Sequence, residues 1–360
     1  MIKESNIISY LESEFRSFRE FSPNEVDYAI FSMLSYFDYS VYLPLFGDST
    51  MLKDTYDLRK NEAFLKRVAY SDNDKRLFLA LVGNPRYKEV VALHYQSFFF
   101  ERNNEQFAAI SFYLPNNEEV IGFRGTDSSF VGWKENFLMA LNDPIESQID
   151  AYKYLKNELA SSDKKITIVG HSKGGNLASY AYFSLTEVEK ERIKACYSFD
   201  GPGFSEAMLD KLNYLPSKDS YFHIVPKESI IGELYSHGSF QRIIDAKGRY
   251  FEMHSPYSWI VQNGSFVSVP FSNPRLKMIM NSFNDWAEKV NEEDRKIFLD
   301  VLFEMIDRSG IANFKEFLDF KINSGLKLTK AYKSLPEEEK KEFKRIGSPL
   351  IDIFKKAYFG

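Results

Sequence analysis

Residues 170–174 read Gly-His-Ser-Lys-Gly, a serine framed by glycines. A serine hydroxyl is a weak nucleophile unless a base takes its proton and an acid orients that base. The flanks suit such a role. A β-branched run, "KITIVG", comes before, and a helix-forming run, "GGNLASYAYFSL", comes after. A strand turning sharply into a helix would present the Ser172 hydroxyl at the sheet end, in a backbone conformation that tolerates only small neighbours. Gly170, Gly174 and Gly175 meet that demand. The helix start would also aim backbone N–H groups and the positive end of its dipole at the site. A glycine-rich turn without chemistry is the plainer alternative.

The base must come from five histidines, at 94, 171, 223, 237 and 254. In a strand–elbow–helix site the chain order is serine, acid, histidine, which removes His94 and His171. His223 falls inside a predicted strand. His254, in "YFEMHSPYSW", is expected to follow a short strand and open a loop, and it is preferred to His237 in "YSHGSF". Two acids compete: Asp200, ending "ACYSFD", and Glu228, in "HIVPKES". Either could instead serve a turn or a helix start. An oxyanion hole needs one donor from the residue after the serine, the Lys173 N–H, and another from an earlier strand-end loop. "VIGFRGTD" supplies that loop, with Gly125 and Thr126 at its tip; the plainer reading makes Arg124 and Asp127 an ion pair.

Elements must hold these residues in place. Helical periodicity begins after Asn24, and a shorter helix is expected at 60–70. Three β-rich runs, "KEVVALHYQSFFFE", "EQFAAISFYL" and "EEVIGFRG", are split by turn signals and predict an antiparallel meander. Helices near 130–141, 145–160, 176–188 and 205–214 then alternate with strands at 165–169, 195–199, 220–225 and 241–246. That alternation predicts an α/β fold with a mostly parallel sheet. Beyond 271 the strand signals stop. Ile297, Val301 and Met305 share a helical face that Gly310 ends, and Asn313 with Glu316 and Ser334 with Glu337 have capping-box spacing. The expected division is an α/β domain over 1–271 and a helical region over 272–360. The latter holds no Ser/His/acid set and is expected to cover the domain rather than supply chemistry.

Composition narrows the function. The 360 residues carry 46 basic and 51 acidic side chains, a net charge of −5, so no basic footprint recommends a nucleic-acid partner. The 33 Phe and 22 Tyr could line an apolar pocket or simply fill the core. No run approaches the ~18 consecutive apolar residues of a spanning helix, and the charged N-terminal stretch lacks a signal-peptide core. A lone cysteine, Cys196, forbids an intrachain disulfide. A cytoplasmic location is expected. The basic C-terminal stretch leaves room for a peripheral membrane contact but reads more simply as a solvated face. No metal-ligand spacing occurs; "SDNDK" at 71–75 lacks the rest of a calcium loop and reads as a helix cap. No cofactor is expected.

With "GFRGTD" and "GHSKGG" in one chain, supported by "GWKENF", "SFDGPGF", "VPKESIIG" and "HSPYSW", the sequence resembles the class 3 lipases, over about residues 25–265. It looks most like a bacterial lipase-like branch of that α/β-hydrolase group. The resemblance implies an α/β-hydrolase fold with N-terminal helices and a helical C-terminal appendage. It implies Ser172 as nucleophile, His254 as base and Thr126 as oxyanion residue. The segment 128–141, with Phe130, Trp133 and Phe137, would be a lid over the substrate pocket. The family's acid follows the second strand after the nucleophile, which favours Glu228 over Asp200, although the usual Asp position before Ile-Val-Pro is His223 here. Lys173 stands where the elbow commonly has Leu; a cation there would leave room for anionic esters. The function expected is serine hydrolysis of a carboxylic ester of a lipid or an acylated small molecule. Acyl transfer or thioester cleavage uses the same acyl-enzyme, and a silent binding module is the alternative of another class.

Overall fold

The computed structural model describes residues 5–41, 43–68, 71–100, 105–126, 144–212, 216–235, 241–249, 251–270, 273–310 and 322–359. Their centre is one sheet of eight strands lying in sequence order: β1 (Ser49–Met51), β2 (Val91–Phe100), β3 (Glu105–Tyr113), β4 (Glu118–Phe123), β5 (Lys165–His171), β6 (Ile193–Phe199), β7 (Tyr221–Pro226) and β8 (Gln241–Ile244). The pairs from β1 to β4 are antiparallel, and those from β4 to β8 are parallel. A meander therefore feeds a parallel half, as the β-rich runs and the later alternation imply. Parallel strands need crossovers, and the crossover helices Glu146–Ser161, Lys173–Phe183 and Glu206–Lys211 pack on one face of the sheet, while helices from the N-terminal part of the chain cover the other.

Alternation along the strands builds two cores. In β4, Val120 faces one layer with α1 (Glu25–Leu34) and α2 (Asp72–Val82), while Ile121 and Phe123 face the other with α3 (Glu146–Ser161) and α4 (Lys173–Phe183). Every residue of β4 is buried, as expected of a strand covered on both sides. Asn24 and Asp27 close a capping box at the start of α1, and Ser71 caps α2, so "SDNDK" is a helix start.

Several predicted boundaries move. The helix predicted at 176–188 begins at Lys173, directly after the serine, and stops at Phe183; a separate turn, Glu187–Lys190, has its own Thr186 cap. Ser334 caps no new helix: it ends the helix Ile322–Ser334 and its hydroxyl donates back to the Ala331 carbonyl. Gly310 does end a helix, Glu292–Ser309, with φ 64°. After Phe266 every described element is helical. Those helices pack on the segment before β8, where Tyr235 joins Trp286, Ala287, Leu299, Ile346 and Leu350 in one cluster. The predicted helix near 130–141 and the Asn313–Glu316 spacing lie outside the described residues.

Candidate active site

Ser172 sits between the last residue of β5 and the first of α4, at φ 58° and ψ −130°. That left-handed φ strains any residue with a Cβ, and the surroundings enforce it. A Cβ on Gly170 would lie 2.0 Å from the Gly174 carbonyl oxygen, and one on Gly174 would lie 2.1 Å from that of Phe123. Strand, turn and helix thus touch backbone to backbone, which only glycine permits. The Ser172 N–H donates to the Phe199 carbonyl at 2.9 Å, pinning the turn to β6. A serine at a helix start ordinarily spends its hydroxyl on the first-turn amides. Ser172 makes no such cap bond, so its hydroxyl is left for other work.

Asp200 leaves the end of β6 beside the turn. The register pairs Gly170 with Ser198 and His171 with Phe199, which puts Asp200 level with Ser172. Asp200 is fully buried and also has a left-handed φ, 50°. Its Oδ1 accepts from the Ser229 hydroxyl at 2.5 Å and the Gly232 N–H at 3.1 Å. Its Oδ2 lies 2.6 Å from His254 Nδ1. Three donors hold the carboxylate in one orientation and compensate its burial.

His254 ends a short helix, Phe251–His254, where sequence reasoning expected a loop after a strand. It packs against the residue before the serine, the His171 and His254 ring centroids lying 4.5 Å apart with their planes tilted by 36°. His171 Nε2 is 2.8 Å from the His254 carbonyl oxygen, and Tyr36 Oη is 3.0 Å from His171 Nδ1. Burial, reinforced by neighbouring His254, holds the His171 imidazole neutral, well below the usual histidine range. A neutral ring facing a carbonyl must donate from Nε2, so Nδ1 accepts from the Tyr36 hydroxyl. Fully buried Trp259 lies edge-on to His171 and donates from Nε1 to the Met253 carbonyl at 2.8 Å. The backbone carrying His254 is held from two sides.

The residues singled out from sequence fare unequally. Ser172, His254 and Asp200 converge at one sheet end. Glu228 does not meet His254: the turn after β7 instead sends the next residue, Ser229, to Asp200. The correction has a topological cause, since Asp200 leaves the strand adjacent to β5, whereas Glu228 leaves one strand further out. Lys173 is not a cation at the mouth either. Its side chain is buried and Nζ donates to the Gln106 carbonyl on β3, so only its backbone N–H faces the elbow role. Thr126 follows β4, next to Gly125, where a Cβ would come 2.6 Å from the His171 carbonyl oxygen. Phe130, Trp133, Phe137, Asp127 and His237 lie outside the described residues. His223 Nε2 donates to the Gly201 carbonyl at 2.9 Å, and burial lowers its pKa. His94 pairs with Glu158 elsewhere. Tyr36 and Trp259 were not singled out from sequence; only their distance in sequence from the elbow hid them.

Among the described residues no cluster of three or more His, Cys, Asp or Glu could hold a metal ion, and no helix is long and apolar enough to cross a membrane.

A family model described as Mbeg1-like matches residues 81–304, more than half of the chain. None of the curated proteins matches it. Among solved structures, the crystal structure of M37 lipase is similar at 17% identity and a TM-score of 0.36, over 59% of this chain and 70% of that one. A triacylglycerol lipase from Penicillium expansum is similar at 12% identity and a TM-score of 0.32, over 68% of this chain and 90% of the lipase. The matched family span contains the elbow, Asp200 and His254; the chain belongs to the Mbeg1-like family, and its mostly parallel eight-stranded sheet with flanking helices is that of an α/β-hydrolase fold.

Proposed function

We propose that the protein is a serine hydrolase that cleaves a carboxylic ester through an acyl-enzyme on Ser172. One observation carries the reading: a strained elbow serine whose hydroxyl caps no helix, beside a histidine held by a buried carboxylate. Ser172 Oγ attacks the ester carbonyl as His254 takes its proton. The tetrahedral oxyanion is met by the Lys173 N–H, at the start of α4, and by Thr126, which follows β4. Collapse breaks the acyl–oxygen bond, and His254 returns the proton to the leaving alcohol. Water, deprotonated by His254, then attacks the acyl-enzyme and releases the acid and the free serine. Asp200 keeps His254 in the tautomer with Nδ1 protonated and stabilises the imidazolium formed in each half.

Incubation with a fluorophosphonate probe, followed by intact mass and peptide mapping, tests this without a known substrate. One adduct is expected, on Ser172, and none on Ser172→Ala of unchanged circular dichroism. A folded protein that takes no label, or takes it on another serine, overturns the reading.

A further inference from the structure

Residues between β2, β3, the end of β4 and the segment before β1 enclose a cleft of about 730 Å³, the size of a small-molecule site. Its lining includes Arg124, Asp38, Ser40, Asp48, Tyr95 and Gln106. Arg124 is the unusual member. Phe123 points into the core under α3 and α4, so strand alternation turns Arg124 to the opposite face, where the cleft lies. The residue is only 7% exposed, and among the described residues its buried Nε has no hydrogen-bond partner. No ion pair joins Arg124 to Asp38 or Asp48 among the described residues. A guanidinium cannot shed its charge, and leaving its buried Nε without an acceptor is costly unless a ligand supplies one.

The cleft lies at the reacting end of the sheet. β4 pairs with β5 up to Phe123–Gly170, so Arg124 leaves the sheet beside His171, and Gly125 packs on the His171 carbonyl. Arg124 thus joins the cleft to the strand end that carries Ser172. The chemistry of a ligand in the cleft follows from the lining. Arg124 suits a bidentate oxyanion. Asp38, whose Oδ1 is engaged by the Ser40 N–H and hydroxyl, and exposed Asp48 add two negative charges to the same cleft. Those charges disfavour a purely anionic ligand and favour one that also carries a cation.

We propose that this cleft binds a zwitterionic head group, an oxyanion on Arg124 and an ammonium against Asp38 and Asp48, belonging to the ester cleaved at Ser172. The cation that selects the substrate is then Arg124, not Lys173. The proposal rests on the hydrolase reading only for the last clause, and the test separates the two. Full-length Ser172→Ala is titrated calorimetrically with glycerophosphoethanolamine, glycerol 3-phosphate, free serine and glycerol. Glycerophosphoethanolamine is expected to bind at least tenfold more tightly than glycerol 3-phosphate, and glycerol not at all. Binding of free serine without glycerophosphoethanolamine would support the zwitterion while moving its source from a phospholipid-type head group to an amino acid. Arg124→Gln should weaken the zwitterion at least tenfold, and Arg124→Lys, which keeps charge but not the fork, less. The Asp38→Asn/Asp48→Asn double variant should lose the preference and bind glycerol 3-phosphate more tightly. Equal affinity of all variants for all probes, or no binding by a folded parent, overturns the proposal. Binding as expected in a protein whose Ser172 takes no fluorophosphonate would sink the hydrolase reading alone. If both stand, Arg124→Gln should lower the ratio of kcat/KM for lysophosphatidylethanolamine over monoacylglycerol at least tenfold; an unchanged ratio would detach the cleft from the reaction.

Discussion

His171, which does not titrate in the reaction proposed here, donates from Nε2 to the backbone carbonyl of His254 at 2.8 Å, while Tyr36 Oη contacts its Nδ1 at 3.0 Å. The residue preceding Ser172 thereby fixes the backbone of His254. Tyr36→Phe removes the donor to Nδ1 and frees the ring to turn over. It should lower kcat for a short-chain p-nitrophenyl ester about threefold to tenfold and stability by about 1 kcal/mol, the net worth of one hydrogen bond. His171→Gln, which can still donate to the carbonyl, should retain more activity than His171→Leu. Equal rates for those two variants, at matched melting temperatures, would remove the positioning role.

The acid can be settled by a pair of isosteric variants. Asp200→Asn keeps the shape but removes the carboxylate from His254 Nδ1, and turnover should fall by ~10³- to 10⁴-fold. Glu228→Gln should stay within about threefold of the parent, because its neighbour Ser229 rather than Glu228 reaches the site. Steady-state rates on one p-nitrophenyl ester, with folding checked by circular dichroism, separate them. A crippled Glu228→Gln beside a competent Asp200→Asn would restore the acid that the lipase resemblance favours.

What could be read from the sequence was whatever is fixed locally. The strands before and after the meander turns are legible in their β-branched runs, and the elbow is legible because its glycines answer a steric demand within five residues. The acid was not. Asp200 and Glu228 both follow strands, and the difference lies in Ser229 and Gly232 arriving from about thirty residues away to orient Asp200. Lys173 misled for a similar reason, since its position in the motif does not reveal that its side chain turns under the sheet to Gln106. Tyr36 contacts His171 across 135 residues, and no spacing rule announces such a pair.

A buried carboxyl pair far from the elbow should shape stability against pH. Burial, helped by a hydrogen bond and repulsion from Glu158, pushes Glu119 up to about 8, from 4.5. Native Glu119 therefore keeps a proton that the unfolded chain releases, so its contribution is full below pH 4.5 and is lost as pH rises toward 8. His171 and His223 act oppositely: both are held neutral by burial, and their contribution is full above the unfolded value of 6.5 and falls below it. Glu119→Gln mimics the protonated acid. Urea melts should find it similar to the parent near pH 5 and more stable at pH 8, the gap opening at about 1.4 kcal/mol per pH unit. A gap independent of pH would mean that Glu119 is ionised in the native protein.

The described C-terminal helices supply none of the three residues proposed for catalysis, yet they hold the segment that orients Asp200. The Gly232 N–H donates to Asp200, and the next three residues are clamped from both sides. Lys277 pairs with Glu233, and Asn284 accepts from the Tyr235 N–H and donates to the Glu233 carbonyl, each at 3.0 Å. The Leu234 carbonyl in turn accepts from Gly203 N at 2.8 Å, tying the segment to the turn after Asp200. Asn284→Ala strands a backbone N–H and a carbonyl in a part-buried place, at a cost of about 1–3 kcal/mol. It should also lower kcat about threefold to tenfold through a looser Asp200. Trp286→Ala hollows the cluster beneath and should cost about 3–5 kcal/mol. Deleting 273–360 should therefore impair turnover together with solubility. Chemical denaturation and kcat, measured on the same preparations, decide the matter. A truncated protein that stays soluble and turns over ester at the full-length rate would show that Asp200 needs no support from these helices.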